Sequence, residues 1–347
     1  MKTVFKIRFL ILLALASKLY AGDQAIDSLS LKLRSAGHDT TRCRILSLLC
    51  EESPEGEWER YNEQMVMLAG ERLKEVKPGK LYNVYMTYLA LGINNKGFIC
   101  KDSGNYGGAR DLFLKSFSMY KILKDRKGMA DVLDNLGFVY QNLGKTDSAV
   151  FFYNEGLALR EKIRDDEGLA YSLNNIAAVY YYQGMIEKAI AAYERALGIF
   201  EKEGKKKGIA MEMNNLAFIY QNQNDLASAE KYFLSSLRLK KETDDQAGIA
   251  GAYNNLGTLA LKRNQYDEAL RYFNDGLKIA ELMNNKPVIA NISNNIGYTY
   301  KKKGRYADAI ENFQKALSMQ LNSGNQSGIS QCEVNLASVY YLEKQYG

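Results

Sequence analysis

Apolar and polar positions repeat along this chain with a period of 40 residues. Within a period, apolar or small residues recur at i, i+3, i+4, i+7 and i+8, as at Ala149, Phe152, Tyr153, Gly156 and Leu157. This spacing places them on one face of an α-helix. A similar stretch precedes each of these, and a Gly or Asn separates the two. Each period therefore predicts two amphipathic helices joined by a turn.

Several positions keep a strict register, and no insertion interrupts it. An Asn recurs at Asn95, Asn135, Asn175, Asn215, Asn255, Asn295 and Asn335. A turn residue recurs at Gly104, Gly144, Gly184, Asn224, Asn264 and Gly304. An Ala recurs at Ala109, Ala149, Ala189, Ala229, Ala269 and Ala309, and an aromatic residue follows each of them by four. A register kept over roughly 240 residues predicts a stack of equivalent helix pairs.

The residues at the predicted helix ends agree with this interpretation. Gly and Asn tolerate a left-handed backbone best, which suits the stop between the two helices. The junction between repeats carries residues whose side chains accept from unpaired N–H groups at a helix start. These are Asp125, Asp165, Asp245, Asn285 and Asn325. Lys205 is the exception at this position.

The pattern Asn-Leu-Gly/Ala-x-x-Tyr, Gly/Asn, Ala, Tyr/Phe, Leu resembles the tetratricopeptide repeat family, whose usual unit is about 34 residues. The 40-residue unit is similar to the subclass found in kinesin light chains and G-protein signalling modulators. It also resembles exported repeat regions of bacterial sensor proteins of the Bacteroidetes type. The resemblance covers about Leu81 to Gly347. It implies an all-α, right-handed superhelical solenoid of stacked antiparallel helix pairs.

The predicted domain order has three parts. Residues 1–21 form a signal peptide, 22–80 an N-terminal helical cap or divergent repeat, and 81–347 an array of about six 40-residue repeats plus an incomplete last one. Within 22–80, helices are predicted at 26–33, 42–49 and 57–76. Pro54 and Pro78 fall between them, where a missing backbone N–H is tolerated. A separate small domain in this region is the alternative.

The first residues are typical of a secretory signal. Lys2, Lys6 and Arg8 precede a short apolar run at 9–16, and cleavage is expected between Ala21 and Gly22. The run is shorter than the ~20 residues needed to span a bilayer. An amphipathic first helix is the alternative. The sequence thus predicts an exported bacterial protein, periplasmic or at the cell surface.

Net charge argues against a nucleic-acid partner. The chain has 46 Lys and Arg against 40 Asp and Glu, and four of the basic residues lie in the first 21, which leaves 42 against 40. Nucleic-acid binding usually needs a marked basic excess. No nucleic acid is therefore expected as a partner.

Residues for catalysis or for a cofactor are scarce. His38 is the only histidine, no phosphate-binding Gly-rich motif occurs, and no CxxC accompanies the four cysteines. We expect no enzyme activity, no cofactor and no metal site. The cysteines are expected as buried thiols, with a disulfide in an exported protein as the alternative.

The candidate binding residues are the Asn register and its neighbours. A second Asn precedes the first in several repeats, at Asn94, Asn174, Asn214, Asn254 and Asn294, with Asp134 at the same position. The resemblance implies that the first helix of each pair lines a concave groove. There the carboxamides, with two donors and one acceptor each, would bind the backbone of an extended peptide. Phe98, Phe138, Phe218 and Tyr298, one turn on, would add apolar contacts. Alternatively, the Asn row bonds a neighbouring helix and fixes the stacking angle.

The last predicted helix, with Val334, Leu336, Val339 and Tyr340, has no partner helix within the sequence. We expect a bare apolar face there, and a chain that continues past Gly347 into further repeats and a membrane segment. Membrane anchoring is predicted only through such segments. Two functions remain: an exported scaffold that binds a protein or peptide in its groove, and the sensor region of a membrane signalling protein, a histidine kinase or transcription regulator. A cytoplasmic cargo adaptor requires the signal assignment to be wrong.

Overall fold

The computed structural model describes residues 24–54 and 56–346. All regular structure within these ranges is helical. Helix α1 spans 24–35. The helices that follow it are α2 (Asp39–Glu52), α3 (Trp58–Glu75), α4 (Lys80–Asp102), α5 (Tyr106–Leu123), α6 (Arg126–Asn142), α7 (Thr146–Ile163), α8 (Asp166–Tyr182), α9 (Ile186–Glu203), α10 (Lys206–Asn222), α11 (Leu226–Glu242), α12 (Gln246–Lys262), α13 (Tyr266–Leu282), α14 (Lys286–Lys302), α15 (Tyr306–Ser323) and α16 (Gln326–Tyr346). The predicted signal segment 1–21 and its cleavage site at Ala21 and Gly22 lie outside the described residues.

The helices keep the 40-residue period. Helices α6, α8, α10, α12, α14 and α16 begin at Arg126, Asp166, Lys206, Gln246, Lys286 and Gln326, and α5, α7, α9, α11, α13 and α15 begin at Tyr106, Thr146, Ile186, Leu226, Tyr266 and Tyr306. We call the even-numbered helices from α4 onward the first helices and the odd-numbered ones from α5 onward the second helices. The predicted all-α array of helix pairs and its 40-residue unit are confirmed.

Side chains at the predicted caps start the first helices. The side-chain oxygens of Asp125, Asp165, Asp245, Asn285 and Asn325 each accept from the backbone N–H three residues on. Lys205 makes no such bond. Two second helices are capped in the same way by Asn105 and Asp225, which the repeat pattern did not predict. The six turn residues all have positive φ, with Asn224 at 66° and Asn264 at 60°, as predicted for a left-handed stop.

The chain divides into two compact units, Met1–Met185 and Ile186–Gly347, which we call unit 1 and unit 2. In unit 1 the two helices of a repeat approach closely where a glycine faces an aromatic ring. A Cβ atom added at Gly137 would lie 2.7 Å from the ring of Tyr153. Tyr153 is 1% exposed. The glycine therefore sets how near α6 can approach α7, because any side chain there would displace the ring.

Unit 2 repeats this packing and has Phe at three of its four ring positions. Phe233, Phe273 and Phe313 are fully buried, and a Cβ at Gly257 would lie 2.5 Å from the Phe273 ring. Small residues thus meet large rings at the same register in both units.

Helix α16 buries one side and exposes the other. Leu336 and Val339 are buried in a cluster with residues of α15. Val334 is 63% and Tyr340 48% exposed. The expected bare apolar face is thus found only at Val334 and Tyr340, and the expectation is wrong for Leu336 and Val339, because α15 covers them.

The N-terminal region is helical where the sequence predicted helices, and each observed helix includes or nearly matches the expected range. Pro54 and Pro78 lie between α2, α3 and α4. Cys43 of α2 is fully buried. The four thiols are unbridged: Cys43 and Cys332 are buried, and Cys50 and Cys100 are half-buried. That 22–80 forms a cap distinct from the array stays a prediction, since α4 begins at Lys80 and packs against α3 as it does against α5.

Candidate ligand-binding face

The Asn residues of the register lie at the edge of the core on the first helices. Lys96, which follows the first pair, is half-buried. In the next five repeats the residue that follows the pair is a buried Leu or Ile, at Leu136, Ile176, Leu216, Leu256 and Ile296. Most Asn side chains are half-buried, and Asn94 is 8% exposed. One helical position rotates the side chain by about 100°, which places the Asn pair beside the core and at the surface. We call this strip of each unit its Asn face.

In unit 1 the Asn side chains bond to one another between repeats. Nδ2 of Asn135 donates to Oδ1 of Asn94 at 3.3 Å. Nδ2 of Asn95 donates to Oδ1 of Asn62 at 3.0 Å. Asn62, fully buried on α3, in turn donates to the carbonyl oxygen of Gly92. The 40-residue register could not find Asn62, because it precedes its partner by 33 residues instead of 41.

In unit 2 the same bond recurs with regular geometry. The second Asn of one repeat donates to the first Asn of the repeat before it. The pairs are Asn255 to Asn214, Asn295 to Asn254 and Asn335 to Asn294, each at 2.8 Å. Every pair is separated by 41 residues in the chain. We call this row of bonds the Asn ladder.

The Asn ladder is the contact that the structural hypothesis for these residues requires, yet it leaves hydrogen-bonding groups unused. Asn254 and Asn214 accept through Oδ1, so both N–H groups of each carboxamide remain for another partner. Asn174 instead donates to Oδ1 of its neighbour Asn175 at 3.3 Å. Asn215 is half-buried on α10. Binding of a peptide by these residues stays a prediction.

The predicted aromatic side chains lie near the Asn faces with different exposure. Phe138 is 40% and Phe218 49% exposed. In unit 1 the ammonium of Lys101 lies 4.5 Å from the ring centre of Phe98 and 5.2 Å from that of Phe138. Tyr298 in unit 2 is half-buried and faces the ammonium of Lys302. Apolar surface is thus available beside the amides in each unit.

A buried arginine forms an ion cluster in unit 1 that sequence reasoning missed. Nη2 of Arg160, at the end of α7, lies 2.7 Å from Oδ1 of Asp131 and 2.8 Å from Oδ2 of Asp134. Nη1 bonds to Asp165, and Nε donates to Oγ of Ser172 at 2.9 Å. The hydroxyl of Ser172 donates to Asp134. The guanidinium thus joins α6, α7 and the start of α8.

Burial and charge act in opposite directions in this cluster. Burial opposes the charge of Arg160, but Asp134 and Asp131 outweigh it and raise the pKa of the guanidinium. Burial also raises the pKa of Asp134, although Arg160 and Ser172 lower it. A signal for the cluster was present in the sequence: Tyr120, Phe200 and Ala280 occupy the register position of Arg160, and among the second helices only Arg160 and Lys240 are charged there.

The same register position carries Lys240 and Gln320 in unit 2. Each lines an open cleft beside the Asn ladder. The first cleft, of about 250 Å³, is bounded by α10, α11 and the start of α12. The second, of about 270 Å³, is bounded by α12, α14, α15 and α16. Gln320 is 7% exposed and covers Gly328, where a Cβ would lie 2.4 Å from its Cδ.

Unit 2 also buries a carboxylate. Glu212 of α10 is fully buried. Neither of its oxygens accepts a well-formed hydrogen bond within the described residues. Burial raises the pKa of Glu212 to about 8, and the side chain of Asn215 one turn along the helix lowers it by less. Glu212 occupies the register position of Ser172 in unit 1, where the hydroxyl is fully bonded.

Residues 24–54 and 56–346, which the structure describes, contain no group of three His, Cys, Asp or Glu side chains placed to hold a metal ion. None of their helices combines the length and apolar character needed to cross a membrane.

Comparison with known proteins identifies the repeat. A family model described as tetratricopeptide repeat matches residues 88–162, 129–202, 209–281 and 288–347, which together make up most of the chain. No curated protein matches the sequence.

Several solved structures share the fold at low sequence identity. The apo form of the quorum sensor NprR from B. thuringiensis has a TM-score of 0.62 at 18% identity, with 96% of each chain covered. Aspartyl phosphate phosphatase F from Bacillus subtilis has a TM-score of 0.58 at 14% identity, with 92% of this chain and 93% of that one covered. A Rap protein in complex with Competence and Sporulation Factor has a TM-score of 0.55 at 15% identity, covering 94% of this chain and 99% of that one. At such identities the similarity concerns the fold alone.

Proposed function

Since the chain belongs to the tetratricopeptide repeat family, we propose that it is a non-enzymatic scaffold that binds an extended peptide or protein segment along its Asn faces. The observation that carries this proposal is the unused donors of the Asn ladder. Asn214 and Asn254 bond to the neighbouring repeat only through their side-chain oxygens, which accept from Asn255 and Asn295. An extended backbone presents carbonyl oxygens at regular intervals, and it can accept from such donors whatever its side chains.

The exposed aromatic residues support the proposal. Phe218 lies on the same first helix as Asn214, one turn on, with 49% of its surface exposed. Aromatic side chains supply much of the energy at protein interfaces, and peptide recognition commonly combines backbone bonds with pockets for side chains. The relatives add support of a general kind, since one is a quorum sensor and another was solved with a factor bound.

The test separates the binding role of the Asn residues from their structural role. Asn254→Asp keeps an oxygen for the N–H of Asn295 but removes the two N–H donors. Asn254→Ala removes both. A binder is first selected from a displayed library of random peptides and its affinity for the purified chain is then measured. We expect Asn254→Asp to weaken binding at least about tenfold, by the loss of one or two hydrogen bonds, with an unchanged melting temperature.

The opposite result would assign the Asn row to structure. If Asn254→Asp binds as the wild type does while Asn254→Ala lowers the melting temperature, the carboxamides serve the stack and the peptide does not use them. Lys231, exposed on the second helix α11, offers a control position, and Lys231→Met should change neither measurement.

The place of action is also part of the proposal. The basic head, short apolar run and small residues of 1–21 support export to the periplasm or cell surface. The alternative role as the sensor region of a larger signalling protein rests on the same signal. N-terminal sequencing of the protein from its native cell tests both: a mature chain that begins at Gly22 supports export, and an intact Met1 refutes it.

A further inference from the structure

In unit 2 an open cleft adjoins a residue near the end of two second helices, Lys240 of α11 and Gln320 of α15. Arg160, Lys240 and Gln320 follow one another at intervals of 80 residues. In unit 1, the carboxylates of Asp131 and Asp134 lie against Arg160 and occupy the space beside it. At the corresponding positions of unit 2, 80 residues on, stand Met211 and Asn214. Two of the three aspartates that bind Arg160 therefore have no carboxylate counterpart around Lys240, and the third, Asp165, corresponds to Asp245.

Lys240 has a positive charge without a matching carboxylate. Its ammonium takes part in no ion pair or hydrogen bond among the described residues. Asp245 attracts it from a greater distance. Oδ1 of Asp245 caps α12 by accepting from the backbone N–H of Gly248, and no ion pair joins Asp245 to Lys240 among the described residues. Burial lowers the pKa of Lys240, as expected for a cation held away from water.

The rest of the cleft also offers donors. Lys207, exposed at the start of α10, lines its rim, and Asn214 lines its wall. Oδ1 of Asn214 accepts from Asn255 at 2.8 Å. The side-chain N–H groups of Asn214 can therefore donate to a ligand. Ala210 and Met211 supply apolar surface between these groups.

We infer that the cleft at Lys240 binds a carboxylate of the peptide ligand, in the position that Asp131 and Asp134 fill around Arg160 in unit 1. This inference rests on the proposed function, in which the peptide lies on the Asn face. Two ammonium groups and one carboxylate leave a single positive charge, which matches one carboxylate and not a doubly charged phosphate. The apolar wall formed by Met211 suits the methylene groups of a Glu or Asp side chain.

The cleft at Gln320 gives an internal comparison. It is lined by the uncharged side chains of Asn291, Asn294, Gln320 and Gln331. Without a cation, it has no reason to prefer an acid over a neutral polar group. A ligand that spans both clefts should therefore show an acidic preference at one position only.

The experiment uses a displayed library of random peptides of about twelve residues, which at ~3.3 Å per residue span several helix pairs. Selection is run in parallel against the wild-type chain, Lys240→Met and the control Lys231→Met on the same helix. We expect Asp or Glu to be enriched at one position with the wild type and with Lys231→Met, and not with Lys240→Met. Replacing that acid by its amide in a synthetic peptide should weaken wild-type binding roughly tenfold or more and leave binding to Lys240→Met unchanged.

A second variant tests the cleft without removing the lysine. Met211→Asp combined with Asn214→Asp supplies from within the two carboxylates found in unit 1. We expect this double variant, shown to be folded by its melting curve, to lose the acidic preference. Synthetic peptides with a free or an amidated C-terminus distinguish a terminal carboxylate from a side chain as the bound group.

The outcomes separate the two proposals. Peptides that bind the wild type without any acidic preference would refute the carboxylate site and leave peptide binding on the Asn face standing. No enrichment of any peptide by the wild type would refute the proposed function and this inference together. An acidic preference that persists in Lys240→Met would also overturn the assignment to this cleft.

Discussion

Helices α7 and α11 carry a basic residue at the same register position near their ends, Arg160 and Lys240. The two side chains differ in whether neighbouring residues bind them. In unit 1, Arg160 is 5% exposed and is bound by three aspartates and a serine. In unit 2, Lys240 is half-buried beside an open cleft. One repeat position thus holds a closed ion cluster in one unit and an unpartnered cation in the other.

The difference shows that equivalent positions of a repeat array can differ in whether a charge is satisfied by its neighbours. A buried charge is tolerated only when its neighbours satisfy it, and Asp131 and Asp134 do so for Arg160. Where Met211 and Asn214 replace them, the cation remains and the cost of its partial burial is not offset from within.

The largest expected effect comes from breaking the closed cluster. Arg160→Met should lower the free energy of unfolding by about 3 kcal/mol, because it leaves Asp134 and Asp165, whose side chains are only 13% and 18% exposed, without their cation. Urea denaturation followed by circular dichroism measures the change.

Arg238→Met is the matched control, since Arg238 lies on α11 with 73% of its side chain exposed. Surface ion pairs contribute about 0–1 kcal/mol, so little change is expected there. A loss below about 1 kcal/mol for Arg160→Met would show that the cluster does not stabilise unit 1.

The array could be predicted from the sequence, and the contacts between repeats could not. The apolar spacing that predicts each helix involves neighbouring positions, and the sequence shows it again every 40 residues. The caps at Asp125 and Asn285 follow from local chemistry. Those features involve residues within one or two turns of each other. The helix pairs, the turns between them and the N-caps of the first helices were therefore predictable.

The ion cluster depends on side chains 26 to 38 positions apart, as in the bonds of Asp134 to Arg160 and to Ser172. Their contact depends on how adjacent helices pack, which the periodicity of one helix does not specify. The Asn ladder lies between these cases. The recurrence of Asn was visible in the sequence. That each Asn bonds to the one 41 residues before it could be seen only from the way the repeats stack. The sequence did not indicate the role of Asn62, because the region around it does not follow the 40-residue register.

A second register position that differs between the units is that of Glu212, a titratable residue, and Ser172. Ser172, its counterpart in unit 1, is satisfied by Asp134 and Arg160, whereas burial raises the pKa of Glu212 from 4.5 to about 8. Below the lower value the carboxyl is protonated in both folded and unfolded chains and imposes no penalty. As pH rises between the two values, the unfolded chain loses the proton first, so stability falls by up to about 1.4 kcal/mol per pH unit.

Glu212→Gln keeps the shape and removes the titration. We expect its advantage over the wild type to be a few kcal/mol at pH 8 and smallest near pH 4.5, measured as the difference in unfolding free energy across this range. Glu203→Gln, at an exposed position on α9, is the control for a general effect of lost charge. An advantage that does not change with pH would place the ionised carboxylate in a satisfied environment.

The smallest effect on stability is expected for Lys240→Met. This change tests the contrast between the two units most directly, because Arg160→Met is its equivalent in unit 1. Lys240→Met removes a cation that has no partner and keeps a side chain of similar length. Replacing an unpaired, partly buried charge with an apolar group should leave the unfolding free energy unchanged or raise it by up to about 1 kcal/mol. Arg160→Met, the equivalent change 80 residues earlier, should have the opposite sign. Urea titrations of both variants under one set of conditions measure the pair. If Lys240→Met destabilises the chain as much as Arg160→Met does, the lysine is part of the framework, and the contrast between a closed and an open site no longer holds.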